Sequence, residues 1–150
     1  MTILETLRQT RTVAIVGVSP NSSRASYFVA TYLRADAPEF TVWYVNPRET
    51  EILGQPVYAS LADLPEPPDM VDVFRRTEDL PDVAEEAVAV GATTLWFQLG
   101  LTHDAAADLA RSAGLTVVQD KCLKIEHARY KGGLHTAGFD TGVISARRRL

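Results

Sequence analysis

Apolar residues along the chain fall into short continuous runs, and these alternate with stretches in which they recur at helical spacing. Residues 13–18 (Val13, Ala14, Ile15, Val16, Gly17, Val18) form such a run, bounded by turn residues. A run of that kind suits a strand buried on both faces, as in a parallel sheet. Ahead of it, Ile3, Leu4 and Leu7 predict a short leading helix over 2–10. Behind it, a polar turn (19–23) precedes Phe28, Val29, Tyr32 and Leu33, which share one face of a helix over 26–35.

The alternation then repeats. Residues 40–45, 70–74, 94–98 and 115–118 predict four further strands, and 80–90 and 103–113 predict helices stopped by Gly91 and Gly114. Residues 54–58 look like a turn and a short extended piece, and Ser60 is placed to cap a brief helix over 61–64. Strands alternating with helices of about three turns imply βαβ crossovers. The fold class expected is α/β: a Rossmann-like, doubly wound parallel sheet of about five strands with helices on both faces. One domain is expected to span 1–150, its core over about 12–126. Residues 127–150 form a tail with too few apolar positions to assign.

Composition narrows the function classes. A chain of 150 residues with 46% hydrophobic and 23% charged residues can bury a real core. Its net charge of −4 argues against a general nucleic-acid binder. The basic stretch Arg147, Arg148, Arg149 reads as a solvated tail. A single cysteine excludes an internal disulfide and a multi-cysteine metal site. No run approaches the ~18 apolar residues of a membrane span. Arg8 and Arg11 interrupt any signal-peptide pattern, so a cytoplasmic location without membrane partners is expected.

Ligands of such folds bind beyond the carboxyl ends of the strands, so the residues after each strand carry the functional information. The first exit runs from Gly17 to Arg24. Gly17 lets a phosphate approach the backbone, and the next helix offers unpaired N–H groups. Ser19, Ser22 and Ser23 add hydroxyl donors and Arg24 a guanidinium. This is not G-x-G-x-x-G, because Ser19 and Ser22 occupy the second and third glycine positions. The second exit, Asn46, Pro47, Arg48, lacks the acidic residue that accepts hydrogen bonds from the ribose of NAD. Arg48 instead suits an extra ribose phosphate, carried by both coenzyme A and NADP. The third exit ends Val73, Phe74, Arg75, Arg76; the fourth holds Gln98 and Gly100; the fifth holds Lys121 and Cys122. Five polar or glycine-containing exits together say more than any one.

In order, the stretches AIVGVSPNSSRASY, VNP, LGQPVYASLADLP, MVDVFR, LWFQLG and QDKCLKIEH resemble the coenzyme A-binding domain family. That family includes the N-terminal domain of the succinyl-CoA synthetase α-subunit and small stand-alone CoA-binding proteins. The resemblance runs from about Thr12 to Tyr130 and implies a Rossmann-like fold with CoA or acyl-CoA at the switch point of the sheet. It would put Gly17, Ser19 and Arg24 at the pyrophosphate and Asn46, Pro47 and Arg48 near the adenosine. Val73, Phe74 and Arg75 would border the nucleotide, and Gln98 and Gly100 the rest of the groove. Val18, Ser22, Ser23 and Cys122 complete the candidate binding set. The synthetase's second domain, with its active-site histidine, has no counterpart here, and Lys121-Cys122-Leu123-Lys124 replaces its Asn-Cys-Pro-Gly turn. Ligase chemistry is therefore not expected.

No catalytic constellation is evident. His103 reads as a helix cap, His127 and His135 as tail residues, and no metal-ligand spacing is found. Asp69 and Asp72 are placed at the start of the third strand, away from any ligand. Cys122 is the one candidate nucleophile, with Lys121 and Lys124 beside it to favour thiolate and a mixed disulfide with the CoA thiol as its sharpest role; the alternative is a buried structural thiol. The leading reading is a non-catalytic CoA-binding module, with a homo-oligomer left open. The competing readings are an NAD(P)-dependent oxidoreductase or redox sensor, and a subunit needing a catalytic partner. Tyr130 and Lys131 are adjacent, so the Tyr-x-x-x-Lys pair of many oxidoreductases is missing.

Overall fold

The computed structural model describes residues 1–131; His135, the glycines from Gly132 onward and Arg147–149 lie outside the described residues. In chain order the elements are α1 (Ile3–Gln9), β1 (Thr12–Val16), α2 (Ala25–Asp36), β2 (Thr41–Val45), β3 (Glu51–Ile52) and β4 (Gln55–Tyr58). There follow β5 (Met70–Val73), α3 (Leu80–Ala89), β6 (Thr94–Phe97), α4 (Asp104–Ser112), β7 (Thr116–Val118) and α5 (Leu123–Lys131). The sheet order is β3-β4-β2-β1-β5-β6-β7. Every neighbouring pair is parallel except β3 with β4.

The five apolar runs all become strands of this sheet, and residues 51–58 add two more. Those two are too short to show a period, and β4 carries a proline, Pro56, at the register opposite Glu51. Alternate residues along each strand supply the two faces. Ala14, Val71, Val73, Leu95 and Phe97 pack under α3 and α4, meeting Leu80, Val83, Ala84, Ala106 and Ala110. Val13, Ile15, Met70 and Trp96 pack on the other face against Leu7, Val29, Leu33 and Leu123, from α1, α2 and α5. Helices thus cover both faces, which is why the central strands are predominantly apolar.

At the amino ends of β1 and β5 the Asp69 carboxylate accepts from the N–H groups of Arg11 and Thr12, at 2.8 and 3.2 Å. Thr12 Oγ1 accepts in return from the Asp69 N–H at 2.8 Å. Asp72 does not sit at the strand's start as its position in the sequence suggests. It is the third residue of β5, wholly buried, in register with Ile15 on one side and Trp96 on the other.

His127 is likewise no tail residue. It lies within α5, is 4% exposed, and its Nε2 is 2.6 Å from Glu39 Oε2. Its Nδ1 faces the Tyr32 hydroxyl at 2.8 Å, and Tyr32 and Phe40 contact the ring edge-on. Burial pushes the Glu39 carboxyl upward, but the hydrogen bond from His127, with backbone and cationic neighbours, outweighs it and leaves the group below its ordinary range. An ionised carboxylate only accepts, so the proton between them resides on Nε2. This cluster ties α5 to α2 and to the approach of β2. His127→Ala is expected to cost about 2 kcal/mol, through two lost hydrogen bonds and a partly filled void. Urea unfolding measures it, and a loss below about 0.5 kcal/mol would show the cluster to be solvated rather than structural.

Candidate functional site

The order of the sheet locates the site before any side chain is considered. From β1 the chain turns to β2 on one side, and β5 joins β1 on the other. Connections that leave in opposite directions open a crevice beyond the carboxyl ends of the strands. A cleft of about 900 Å³ lies there, walled by the exits of β1, β2, β5 and β6 and by the start of α5.

At the β1 exit Gly17 has φ +87°, and its N–H donates to the Val45 carbonyl at 2.9 Å. Gly17, Ser19 and Arg24 line the cleft together with Ala25 and Ser26, the opening residues of α2. Ser19 is fastened in place: its N–H donates to Ser26 Oγ, and its Oγ accepts from the Asn21 N–H, both at 3.0 Å. Arg24 is the N-cap of α2 and gives it no side-chain cap. The helix's first N–H groups lack intrahelical partners and carry the positive end of its dipole. The rest of the turn faces elsewhere. Val18 is buried in the core, and Ser22 and Ser23 are exposed outside the cleft, Ser23 bonding twice to Asn21 Oδ1.

At the β2 exit Asn46, Pro47 and Arg48 all line the cleft. Asn46 is a clamp: its Nδ2 donates to the Val18 carbonyl at 2.8 Å, and its Oδ1 accepts from the Arg48 N–H at 2.9 Å. Both ends of the amide are used to join two strand exits, which leaves Arg48 as the charged group presented there.

The β5 exit contributes Phe74, Arg75 and Arg76, while Val73 stays in the core. Asp79 holds both guanidiniums, at 3.4 Å from Arg75 and 3.3 Å from Arg76. The hydrogen bond from Arg76, reinforced by both charges, keeps the Asp79 carboxyl below its ordinary range, and the same pairing raises Arg76. Among the described residues Asp79 is the single carboxylate in the lining, against four arginines. In a chain of net charge −4, that is a concentration of positive charge.

The β6 and β7 exits form the remaining wall. Gln98 lines it from a buried position, its Oε1 accepting from the Leu123 N–H at 3.1 Å, so its carbonyl caps the start of α5. Gly100 lies outside the lining, with its N–H bound to Asp120 Oδ1 at 2.7 Å. Cys122 reaches the cleft half-buried. Leu99, Leu101 and Ile125 also line this wall. Sequence reasoning passed over these three and Ala25 because an apolar residue near a strand end carries no chemical signal of its own, and over Ser26 and Asp79 because they lie inside the helical turns beyond the exits.

Neither described histidine lies on the cleft: His103 caps α4, its Nδ1 accepting from the Ala106 N–H at 3.1 Å, and His127 sits in the cluster with Glu39. Among the described residues no group of three His, Cys, Asp or Glu side chains is disposed to hold a metal ion. No described helix is long and apolar enough to cross a membrane.

Comparison with known proteins agrees with this architecture. The chain is 38% identical over 126 residues to the Bacillus subtilis protein YneT, which covers 84% of this chain and 92% of that one. The structure of cell-free ID.343 from Thermus thermophilus superposes with a TM-score of 0.79 at 37% identity, over 85% of this chain and 95% of that one. An 83-residue stretch is 32% identical to the ADP-forming acetate–CoA ligase I of Archaeoglobus fulgidus, covering 55% of this chain but only 12% of the ligase. Residues 11–128 match the family profile of the CoA binding domain, which takes in β1 to β7 and most of α5. On that match the chain belongs to the CoA binding domain family.

Proposed function

We propose that the protein binds coenzyme A in this cleft and does so without catalysing a reaction on it. The observation that carries the reading is the meeting of four arginines, and the uncapped start of α2, at the carboxyl ends of the central strands. Coenzyme A carries a pyrophosphate and a ribose phosphate, and that donor set fits both. Guanidinium groups bind phosphate through paired, charge-assisted hydrogen bonds. Gly17, Ser19 and Arg24 are assigned to the pyrophosphate and Arg48 to the ribose phosphate. Phe74, Arg75 and Arg76 border the nucleotide, with Asp79 holding the two guanidiniums in position.

Two features support binding without turnover. Among the described residues the lining holds no histidine, and its one carboxylate is committed to two arginines. Cys122 is the remaining reactive group, and it has no base beside it in the lining.

Isothermal titration of the ligand-stripped protein with CoA, dephospho-CoA, NAD and NADP tests the reading. Saturable CoA binding is expected, about tenfold weaker without the 3′-phosphate, the scale of one charge-assisted contact. Arg48→Ala should reproduce most of that loss and shrink the difference between CoA and dephospho-CoA. Binding of NAD or NADP with no response to CoA would overturn the proposal.

A further inference from the structure

The arginines and the apolar side chains of the cleft come from different strand exits. Arg24, Arg48, Arg75 and Arg76 come from the exits of β1, β2 and β5, whereas Leu99, Leu101, Cys122 and Ile125 form the wall beyond β6 and at the start of α5. β1 and β5 separate β2 from β6 in the sheet. At about 4.8 Å per strand, the exit of β2 that carries Arg48 lies roughly 14 Å from that of β6, while the exit of β5 with Arg75 and Arg76 adjoins it. Among the described residues no charged side chain joins the lining from the β6 exit or the start of α5.

The apolar side chains there are exposed to a degree that needs a reason. Leu99 is 64% and Ile125 45% exposed. Large apolar residues gathered beside a cleft mark a surface that is covered in use. Leu99 is not free to fold back onto the core, because its loop is pinned on both sides. The Leu101 N–H donates to the Gln98 carbonyl at 2.9 Å, and the Asp120 N–H to the Leu101 carbonyl at 3.1 Å. The Gly100 N–H is held by Asp120 Oδ1, and the His103 N–H by Gln119 Oε1 at 2.8 Å.

We infer that the physiological ligand is an acyl thioester of coenzyme A, with its acyl chain lying on Leu99, Leu101 and Ile125. The inference rests on the coenzyme A reading above and extends it to the substrate class. Phosphates held by the arginines direct the pantetheine arm along the groove toward the apolar wall. A free thiol would leave that wall wet, whereas a short alkyl chain covers it.

The test compares CoA, butyryl-CoA and hexanoyl-CoA by titration calorimetry on the full chain, wild type and a Leu99→Ala/Ile125→Ala double variant. Wild type is expected to bind hexanoyl-CoA at least about tenfold more tightly than CoA, the effect of burying roughly two methylenes. In the double variant that ratio should fall toward one. Equal affinity of wild type for free and acylated forms would overturn the inference while leaving the coenzyme A reading intact, and failure to bind any of the three would overturn that reading instead. A preference that survives unchanged in the double variant would remove the chain from this wall. Self-association of the wild type that the double variant lacks, together with equal affinities, would assign the apolar face to a second copy of the chain.

Discussion

Gly17→Ala is expected to destabilise the protein by about 2–5 kcal/mol and to disrupt the cleft at the same time. The residue has φ +87°, where an L side chain costs roughly 1–2 kcal/mol. A Cβ at this position would stand 2.1 Å from the Phe74 carbonyl oxygen and 3.0 Å from Arg75 Cδ. The side chain of Arg75 can give way, but the carbonyl cannot. It belongs to a backbone tied to β1 by the Phe74 N–H to Val16 carbonyl bond at 2.8 Å. Relieving the contact must spread β1 from β5, so an overpacking cost of about 1–3 kcal/mol adds to the backbone strain. Gly54 provides the control, with φ +73° and no atom within 4 Å of where a Cβ would lie. Gly54→Ala should lose only the strain. Urea midpoints at unchanged slope measure both. Equal losses at the two positions would show that the approach of Gly17 to Phe74 is slack. Because Gly17, Phe74 and Arg75 all line the cleft, CoA affinity should fall in Gly17→Ala and hold in Gly54→Ala.

Five of the strands were legible because each is a short run dominated by apolar residues, the central ones buried on both faces, with Asp72 the one charged interruption in β5. The helices α2, α3 and α4 were legible because each buries one apolar stripe, Val29 with Leu33 in α2 being typical. Helix α5 follows neither rule. Its buried positions are Leu123, Glu126 and His127, so two of the three residues facing inward are polar. Both have polar partners: His127 meets Glu39 and Tyr32, which are distant in sequence, while Glu126 meets Arg129 one turn on. A period sought in hydrophobicity cannot register a helix held by such contacts. The site divides in the same way. Arg24, Arg48 and Arg75 were visible as charges at strand exits, and the structure brings them into one cleft. Asn46 was visible only as a polar residue where an acid might stand. Its work as a clamp between Val18 and Arg48 depends on the register of β1 with β2, which no local pattern encodes.

Asp72 should give the protein a stability that falls as pH rises, against the usual trend for a carboxylate. Its two side-chain oxygens are buried with no hydrogen-bond partner among the described residues, and burial alone drives its pKa well above the ordinary value of 3.8. Helices α1, α2 and α5 cover that face of β5, and none of their described side chains hydrogen-bonds the Asp72 carboxyl. Tyr32 and His127 bond each other, His127 also bonds Glu39, Glu126 pairs with Arg129, and Glu5 with the Thr2 cap. Burial without a partner therefore favours the neutral acid in the native state. Below pH 3.8 folded and unfolded chains both hold the proton, and the group is neutral to stability. Above it the unfolded chain releases the proton while the native state keeps it. Stability then declines until the pH passes the native pKa, by up to about tenfold in the folding constant per pH unit. Glu39 and Asp79, whose pKa values are lowered, act in the opposite sense and lose their contribution as pH falls. The total curve mixes these effects, so the informative quantity is the difference between wild type and Asp72→Asn. The amide has nearly the same shape and cannot ionise. Its unfolding free energy relative to wild type should rise steadily as the pH climbs above about 4, on top of a constant offset. Parallel curves across that range would mean that Asp72 is ionised and solvated in the native state, and that the core beneath the cleft admits water.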